Sequence, residues 1–494
     1  MRTQIIAILL GKLLGVYALC LVVPLIYALC RQEPVYTAFG LSILITGTLG
    51  TALFRYGRHD GQIIGRIGIR EGFLVVAGAW IFTSLLGALP YSLSGVVPTY
   101  LDAVFETVSG LTTTGASIIT DVEAMPDSIL LWRSLTHWLG GMGIIVLFLV
   151  FLSEIGADAV NLFRAESPGP TVDRVLPRIR QMARNLWLLY VAFTAVQIVL
   201  LYLAGMNLFD AVNHTFATMA TGGFSTRNAS IKHYDSLAIE LIIVFFMFLA
   251  GGNFGLYYLT WRKGLGQLWR DSEFKVYLGI VVGSTLVIAA AVCHQSGLSF
   301  GTSLRDSLFT VVSLMTTTGF VTADFDQWPP VAKIILLLLM LLGACAGSTA
   351  GGLKVIRLII LMKDAARSLL RAVHPRLVQA VKVDGKAVHF DVLHTILRFF
   401  FLYVLIFVLS VIIVSATGLA PFDAMGGVAA TLGNVGPGFG AVGPTTTFTD
   451  VHPLAKFIFI LDMLLGRLEL FTLLVLVHPE FWQPYMERRG PRFN

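Results

Sequence analysis

Four short stretches of this sequence share a spacing that suits the coordination of a bare cation. The first two run Asp102-Ala-Val-Phe-Glu-Thr-Val-Ser-Gly-Leu-Thr-Thr-Thr-Gly115 and Asp210-Ala-Val-Asn-His-Thr-Phe-Ala-Thr-Met-Ala-Thr-Gly-Gly223. The others run Asp306-Ser-Leu-Phe-Thr-Val-Val-Ser-Leu-Met-Thr-Thr-Thr-Gly319 and Asp423-Ala-Met-Gly-Gly-Val-Ala-Ala-Thr-Leu-Gly-Asn-Val-Gly436. Asp precedes Gly by 13 residues each time, and successive glycines lie 108, 96 and 117 residues apart. One such spacing means little in a chain with 48 glycines, where a turn glycine is the plain reading. Four in register, each between two apolar runs, make a repeat. The Asp is expected to cap a helix of about nine residues. At about 14 Å, that helix reaches only halfway through a ~30 Å hydrocarbon core. Its partial negative end then points at the membrane centre. There Thr113-Thr114-Gly115, Thr221-Gly222-Gly223, Thr317-Thr318-Gly319 and Asn434-Val435-Gly436 follow. Glycine accepts φ > 0, which lets successive carbonyls face one way. Irregular backbone at that depth is tolerated only where it is packed in protein or lines a water-filled path. Four such loops around one axis form a ring of carbonyl oxygens, the chemistry of a potassium filter.

Two further features could act on such a path. Gly343-Ala-Cys-Ala-Gly-Ser-Thr-Ala-Gly-Gly352 interrupts an apolar run with four glycines, Gly343, Gly347, Gly351 and Gly352. Each Gly costs a helix about 1 kcal/mol relative to Ala. Its position in the third repeat predicts a flexible plug, and close helix packing by small residues is the alternative. Arg467 and Glu469 stand in another apolar run, Leu-Leu-Gly-Arg-Leu-Glu-Leu. A charge there costs about 2.5–3.5 kcal/mol on insertion scales, so each is a functional candidate or satisfies a neighbour. Backbone carbonyls would serve Arg467, and Arg133 or Lys354 would serve Glu469. Glu106 and His214, one turn past their Asp residues, read as satisfied polar groups behind the loops.

The elements that must hold these residues are membrane spans. Of 494 residues, 56% are hydrophobic and 13% charged, with mean hydropathy +0.79. Soluble chains carry about twice that charge, so a soluble enzyme, a disordered chain and a nucleic-acid-binding domain fit poorly. Ten stretches are apolar enough to cross: about 4–30, 35–54, 72–93, 130–152, 186–204, 237–259, 275–294, 331–362, 391–416 and 455–477. The first reads as a span rather than a signal peptide, being too long and carrying Lys12. Lys and Arg gather in alternate loops: Arg55, Arg58, Arg66 and Arg70; Arg164 through Arg184; Arg262 to Arg270; Lys354 through Lys386; and Arg488, Arg489 and Arg492. By the positive-inside rule those loops and both termini are cytoplasmic. The net charge of +6 is thereby accounted for without nucleic acid. Cys20, Cys30, Cys293 and Cys345 form no CxxC and are expected as unpaired thiols.

The sequence resembles the potassium-translocating subunit of the bacterial Trk system, within the Trk/Ktr/HKT superfamily. The resemblance rests on Thr113-Thr114-Gly115-Ala116, Thr221-Gly222-Gly223-Phe224-Ser225-Thr226, Thr317-Thr318-Gly319-Phe320 and Asn434-Val435-Gly436-Pro437-Gly438. Trp138-Leu-Gly-Gly-Met-Gly-Ile-Ile145 and the two additional N-terminal spans add to it. It implies an all-α polytopic membrane protein in which two extra N-terminal spans precede four span–pore-helix–filter loop–span repeats around one pseudo-fourfold pore. The expected units are 1–60 (extra spans), 61–180, 181–272, 273–386 (containing the gating loop 343–352) and 387–494. The family further implies an intramembrane gate at 343–352 and a positive barrier at Arg467 below the filter. It implies a homodimer with one pore per chain, regulated by a cytosolic nucleotide-binding ring of the TrkA type, in the bacterial inner membrane. K⁺ would be the transported and filter-bound species, with no other cofactor. The tyrosine of the Thr-Val-Gly-Tyr-Gly signature is absent, which implies looser selectivity over Na⁺ than in potassium channels. Competing readings are a K⁺/H⁺ or K⁺/Na⁺ symporter, a sensor or scaffold, and a membrane enzyme. No HExxH, GxSxG or P-loop supports the last; Gly436-Pro-Gly438-Phe-Gly-Ala441 matches GxGxxG/A without a βαβ unit.

Overall fold

The computed structural model describes residues 3–58, 68–143, 176–376 and 379–483. Basic residues Arg66, Arg164, Arg174, Arg488, Arg489 and Arg492, and the end of the Trp138–Ile145 motif, lie outside them. The described residues are helical apart from loops and one small hairpin, Lys382–Val383 paired with Lys386–Ala387.

Among the described residues, six helices are long and apolar enough to cross a membrane: Thr3–Arg31, Tyr36–Arg58, Arg70–Leu93, Ala183–Leu203, Ser272–Ser296 and Phe390–Ala416. They correspond to the two N-terminal stretches and to the stretch that precedes each short helix. Their outer faces remain apolar and exposed, as at Val196, Val199 and Leu203, or Phe401, Leu405, Val408 and Ile412. Contiguous apolar surface of this kind has no place in water and fits a lipid solvent.

The other four expected spans are not continuous helices. Helix Asp127–Gly141 ends at its glycines, and residues 144–152 of that stretch lie outside the described residues. Leu237–Gly251 and Phe254–Lys263 meet at a bend of 96°. Pro330–Leu341 stops before the Gly-rich segment, and Pro453–Arg467 stops where Glu469 and Leu470 take positive φ. Each of these helices has 12–15 residues, about 18–22 Å of rise. The four breaks fall at equivalent places, after the helix that returns from each Thr-rich or Asn-Val-Gly loop.

The short helices are Tyr100–Leu111, Leu208–Met219, Phe300–Met315 and Pro421–Leu432. The repeat's Asp is not their N-cap. Thr99, Asn207 and Ser299 cap the first three with side-chain oxygens, and Pro421 opens the fourth. Asp102 and Asp210 sit three residues in, where each carboxylate accepts from the cap side chain at 2.7 and 2.8 Å. This is a variant of the capping box in which the carboxylate reaches the cap's side chain rather than its backbone N–H, and it places each cap three residues upstream of the Asp. Asp306 lies deeper still, in the second turn.

Candidate functional site

All four short helices end alike. The amide of Thr113, Thr221, Thr317 or Asn434 donates to the carbonyl three residues back, at 2.9–3.1 Å. The next amide, of Thr114, Gly222, Thr318 or Val435, donates five residues back, at 2.7–2.9 Å. Together these bonds form a Schellman cap, whose left-handed position is usually Gly. Here Thr113, Thr221, Thr317 and Asn434 occupy it, at φ 55–57°. A β-branched residue at positive φ is strained, and here that strain is retained at three equivalent sites. Two residues later Gly115, Gly223, Gly319 and Gly436 also take positive φ, between 76° and 105°.

These glycines close a ring. A Cβ on Gly115 would overlap the carbonyl oxygen of Gly222; one on Gly223 would overlap that of Thr318, and one on Gly319 that of Val435. A Cβ on Gly436 would stand 2.7 Å from the oxygen of Thr114. Each glycine therefore abuts the residue before the next glycine, and the fourth returns to the first. The twelve residues singled out from the sequence, 113–115, 221–223, 317–319 and 434–436, are thus brought together. Asn434 also crosses the ring, its Nδ2 donating to Thr114 Oγ1 at 3.0 Å and to the Met463 carbonyl at 2.9 Å. Thr113 Oγ1 and Asn434 Oδ1 are buried without a protein hydrogen-bond partner. Among the described residues no group of three or more His, Cys, Asp or Glu side chains could hold a metal ion. Any cation at this ring would meet backbone, hydroxyl and amide oxygens instead.

Buried polar groups brace the ring from behind. Arg133 Nε donates to Glu106 Oε1 at 2.7 Å, with both side chains almost wholly buried, and its guanidinium lies 4.0 Å from the Phe224 ring centre. Glu106 also accepts from the Ile118 amide at 3.0 Å and from Ser117. His137 Nδ1 donates to the Gly110 carbonyl at 2.8 Å while Nε2 accepts from the Phe224 amide at 3.2 Å, linking the first and second quarters. His214 is satisfied likewise, by the Asp210 carbonyl and Ser225. Asp102 pairs with Lys456 at 2.7 Å, and Asp210 with Arg227, Thr226 and Tyr234, so the carboxylates tie helix starts to neighbouring segments. Between quarters one and two, Asp121 accepts from the Asn228 amide at 2.8 Å, and that bond holds its carboxyl below the usual range. Arg133→Ala would strand Glu106 as an uncompensated buried charge, at a cost of about 3–5 kcal/mol. A clearly lowered melting temperature in detergent is expected; an unchanged one would show that the pair does not brace the ring.

The Gly-rich segment lies against the same ring. Gly351 N donates to Thr317 Oγ1 at 2.8 Å, and a Cβ on Gly351 would meet Asn434. Thr349 Oγ1 donates to the carbonyls of Met219 (3.1 Å) and Ala250 (3.2 Å) and lies 3.4 Å from Thr221 Oγ1. The segment thus touches the second, third and fourth quarters. Arg467 joins it to the first: Nη1 donates to the Thr349 carbonyl at 2.7 Å, and Nη2 to the carbonyls of Gly141 (3.1 Å) and Gly140. Gly343 and Gly352 meet where the segment leaves and rejoins its helices, and Gly347 accepts from the Phe254 amide at 3.1 Å. Glu469 pairs with Arg357, not with Arg133 or Lys354. Lys354 instead donates to the Ala350 and Gly351 carbonyls. All four cysteines are unpaired, with Cys345 buried inside the segment. Sequence reasoning did not single out Thr349, Lys354 as a clamp, or His137. The only signal for the first two was their position within or beside the four glycines.

Comparison with known proteins follows this geometry. The TrkH family, described as "Cation transport protein", matches residues 42–485. The Trk system potassium uptake protein TrkH of Escherichia coli (strain K12) is 40% identical over 490 residues, spanning 98% of this chain and 100% of the relative. The Trk system potassium uptake protein TrkG of the same organism is 34% identical, over 96% and 97% of the two chains. The crystal structure of the potassium transporter TrkH from Vibrio parahaemolyticus superposes with TM-score 0.87 at 36% identity, covering 98% of this chain and 100% of that one.

Proposed function

The chain belongs to the TrkH family of cation transport proteins, and on that premise we propose that it takes up potassium through a channel-like pore. The observation that carries this reading is the closed ring of four equivalent Schellman caps, each followed by a left-handed glycine. Carbonyls of residues 113–115, 221–223, 317–319 and 434–436 replace the ion's hydration shell, and Thr113 Oγ1 and Asn434 Oδ1 offer unpartnered oxygens beside them. Helix C-termini aimed at the ring add negative potential where the ion is bare. The units 1–60, 61–180, 181–272, 273–386 and 387–494 are read as two accessory spans and four pore quarters.

Gating is assigned to segment 343–352 with Arg467. Their contacts with all four quarters on one side of the ring support a plug that must move before an ion can leave the filter. The basic face is read as cytoplasmic, with both termini there and the protein in the bacterial inner membrane. Relatives named for a "Trk system" support a separate regulatory component, which we take to be a cytosolic nucleotide-binding ring of the TrkA type acting on a homodimer.

Purified protein in liposomes tests the transport mode. Rubidium uptake driven by a K⁺ gradient alone is expected, and K⁺ should compete with it. Uptake that strictly requires an imposed proton or sodium gradient would replace the pore with a symporter.

A further inference from the structure

The start of helix Ser272–Ser296 carries a buried carboxylate that the pore does not use. Glu273 is 5% exposed. Its Oε1 accepts from two backbone amides, Ala346 N at 2.7 Å and Ile356 N at 3.0 Å. The first belongs to the beginning of the Gly-rich segment, the second to the first turn of helix Val355–Val373 that follows it. One carboxylate oxygen thus pins both ends of the segment to a third element. An acceptor shared by two amides holds both ends at once, and the segment cannot lift from the ring without losing at least one of these bonds.

The residue before Glu273 is held by the small hairpin. Ser272 donates through its amide, at 3.1 Å, and its hydroxyl to Asp384 Oδ1. Asp384 and Gly385 form the turn, both at positive φ (49° and 77°), the type I′ geometry that Asp-Gly favours. The tip, residues 384–387, is exposed on the basic face. The hairpin also rests on helix Val355–Val373: Lys363 Nζ donates to the Lys382 carbonyl at 2.9 Å, and Val383 and Val388 pack with Ile356 and Ile360. It therefore grips both elements whose relative position Glu273 fixes.

We propose that this hairpin is the handle of the gate: Asp384 sets Ser272, and Glu273, a positioning residue, latches the Gly-rich segment against the filter. Loss of the Asp384 contact would loosen the start of helix Ser272–Ser296 and release both amides. The proposal rests on the reading of 343–352 as a gate and adds the contact chain that latches it.

The test uses the full chain in liposomes, with resting rubidium flux and maleimide labelling of Cys345 in a Cys20→Ala, Cys30→Ala, Cys293→Ala background. Glu273→Ala is expected to raise resting flux about tenfold, the scale of one lost buried hydrogen bond, and to speed labelling of the buried thiol. Glu273→Gln keeps an acceptor oxygen and should restore most of the latch. Asp384→Ala, an exposed change that leaves the helices intact, should move flux and labelling the same way by a smaller factor. Combined with Glu273→Ala it should add little, because both act on one contact chain. If Arg467→Ala raises flux while Glu273→Ala and Asp384→Ala leave flux and labelling unchanged, the handle is refuted and the gate survives. If none of the three raises flux, the gate itself falls.

Discussion

Gly319→Ser protein in liposomes is expected to lose most of its rubidium uptake, and the residue that remains should discriminate poorly between K⁺ and Na⁺. Two costs coincide at this position. An L-residue at φ +80° costs about 1–2 kcal/mol, a factor of about 5–30 in any equilibrium it opposes. The new Cβ would also overlap the Val435 carbonyl oxygen and lie 2.8 Å from Pro437 Cδ. That oxygen belongs to the next quarter of the ring, so relief must either swing a coordinating carbonyl away or widen the ring. Both outcomes damage ion binding in preference to folding, since the surrounding helices are untouched. Gly115→Ser should behave alike because it abuts Gly222 in the same way. Gly436→Ser should be milder, its Cβ standing 2.7 Å from the Thr114 oxygen. The check is competition flux with K⁺, Rb⁺ and Na⁺ on protein of unchanged melting temperature. Wild-type rate and selectivity in Gly319→Ser would remove the ring from the ion's path.

The ring was legible in the sequence because its determinants are local. A helix of fixed length, a Schellman turn and a glycine must recur at a fixed spacing wherever a quarter is built, and the 13-residue interval records that. The break at Gly343–Gly352 was announced by its glycines, but the other three breaks in the returning helices were not legible, because a hydropathy window measures solvent and not helix continuity. Gly140-Gly141, Gly251-Gly252 and the Leu468–Leu470 turn sit inside segments whose apolar content alone suffices for a span. The caps were partly legible. Thr99-x-x-Asp102 and Asn207-x-x-Asp210 carry the capping-box pattern, but the repeat begins visibly at Asp and drew the helix start there. Contacts between distant residues left no trace. Glu469 meets Arg357, 112 residues away, and Glu273 meets amides 73 and 83 residues away. Backbone amides have no side-chain signature, so a latch made of them is invisible until the chain is folded.

Arg467→Ala is expected to raise resting flux about tenfold or more and to blunt its regulation. The guanidinium forks between two parts of the molecule: the Thr349 carbonyl in the Gly-rich segment and the Gly140 and Gly141 carbonyls at the end of the first returning helix. Hydrogen bonds from a charged donor contribute about 1.5–3 kcal/mol each, so losing the fork frees the segment by a factor measurable as flux. On the proposed gating the charge acts in the same direction, because a cation leaving the filter would have to pass it. Two conservative variants separate these contributions. Arg467→Lys keeps the charge, but a compact ammonium cannot span both sets of carbonyls. Arg467→Gln keeps a donor and removes the charge. If Lys retains a low resting flux and Gln does not, the barrier is electrostatic. If both leak, the closed state depends on the fork, and the plug is held by geometry more than by repulsion. Flux and regulation unchanged in Arg467→Ala would exclude both, and with them any part for this residue in closing the pore.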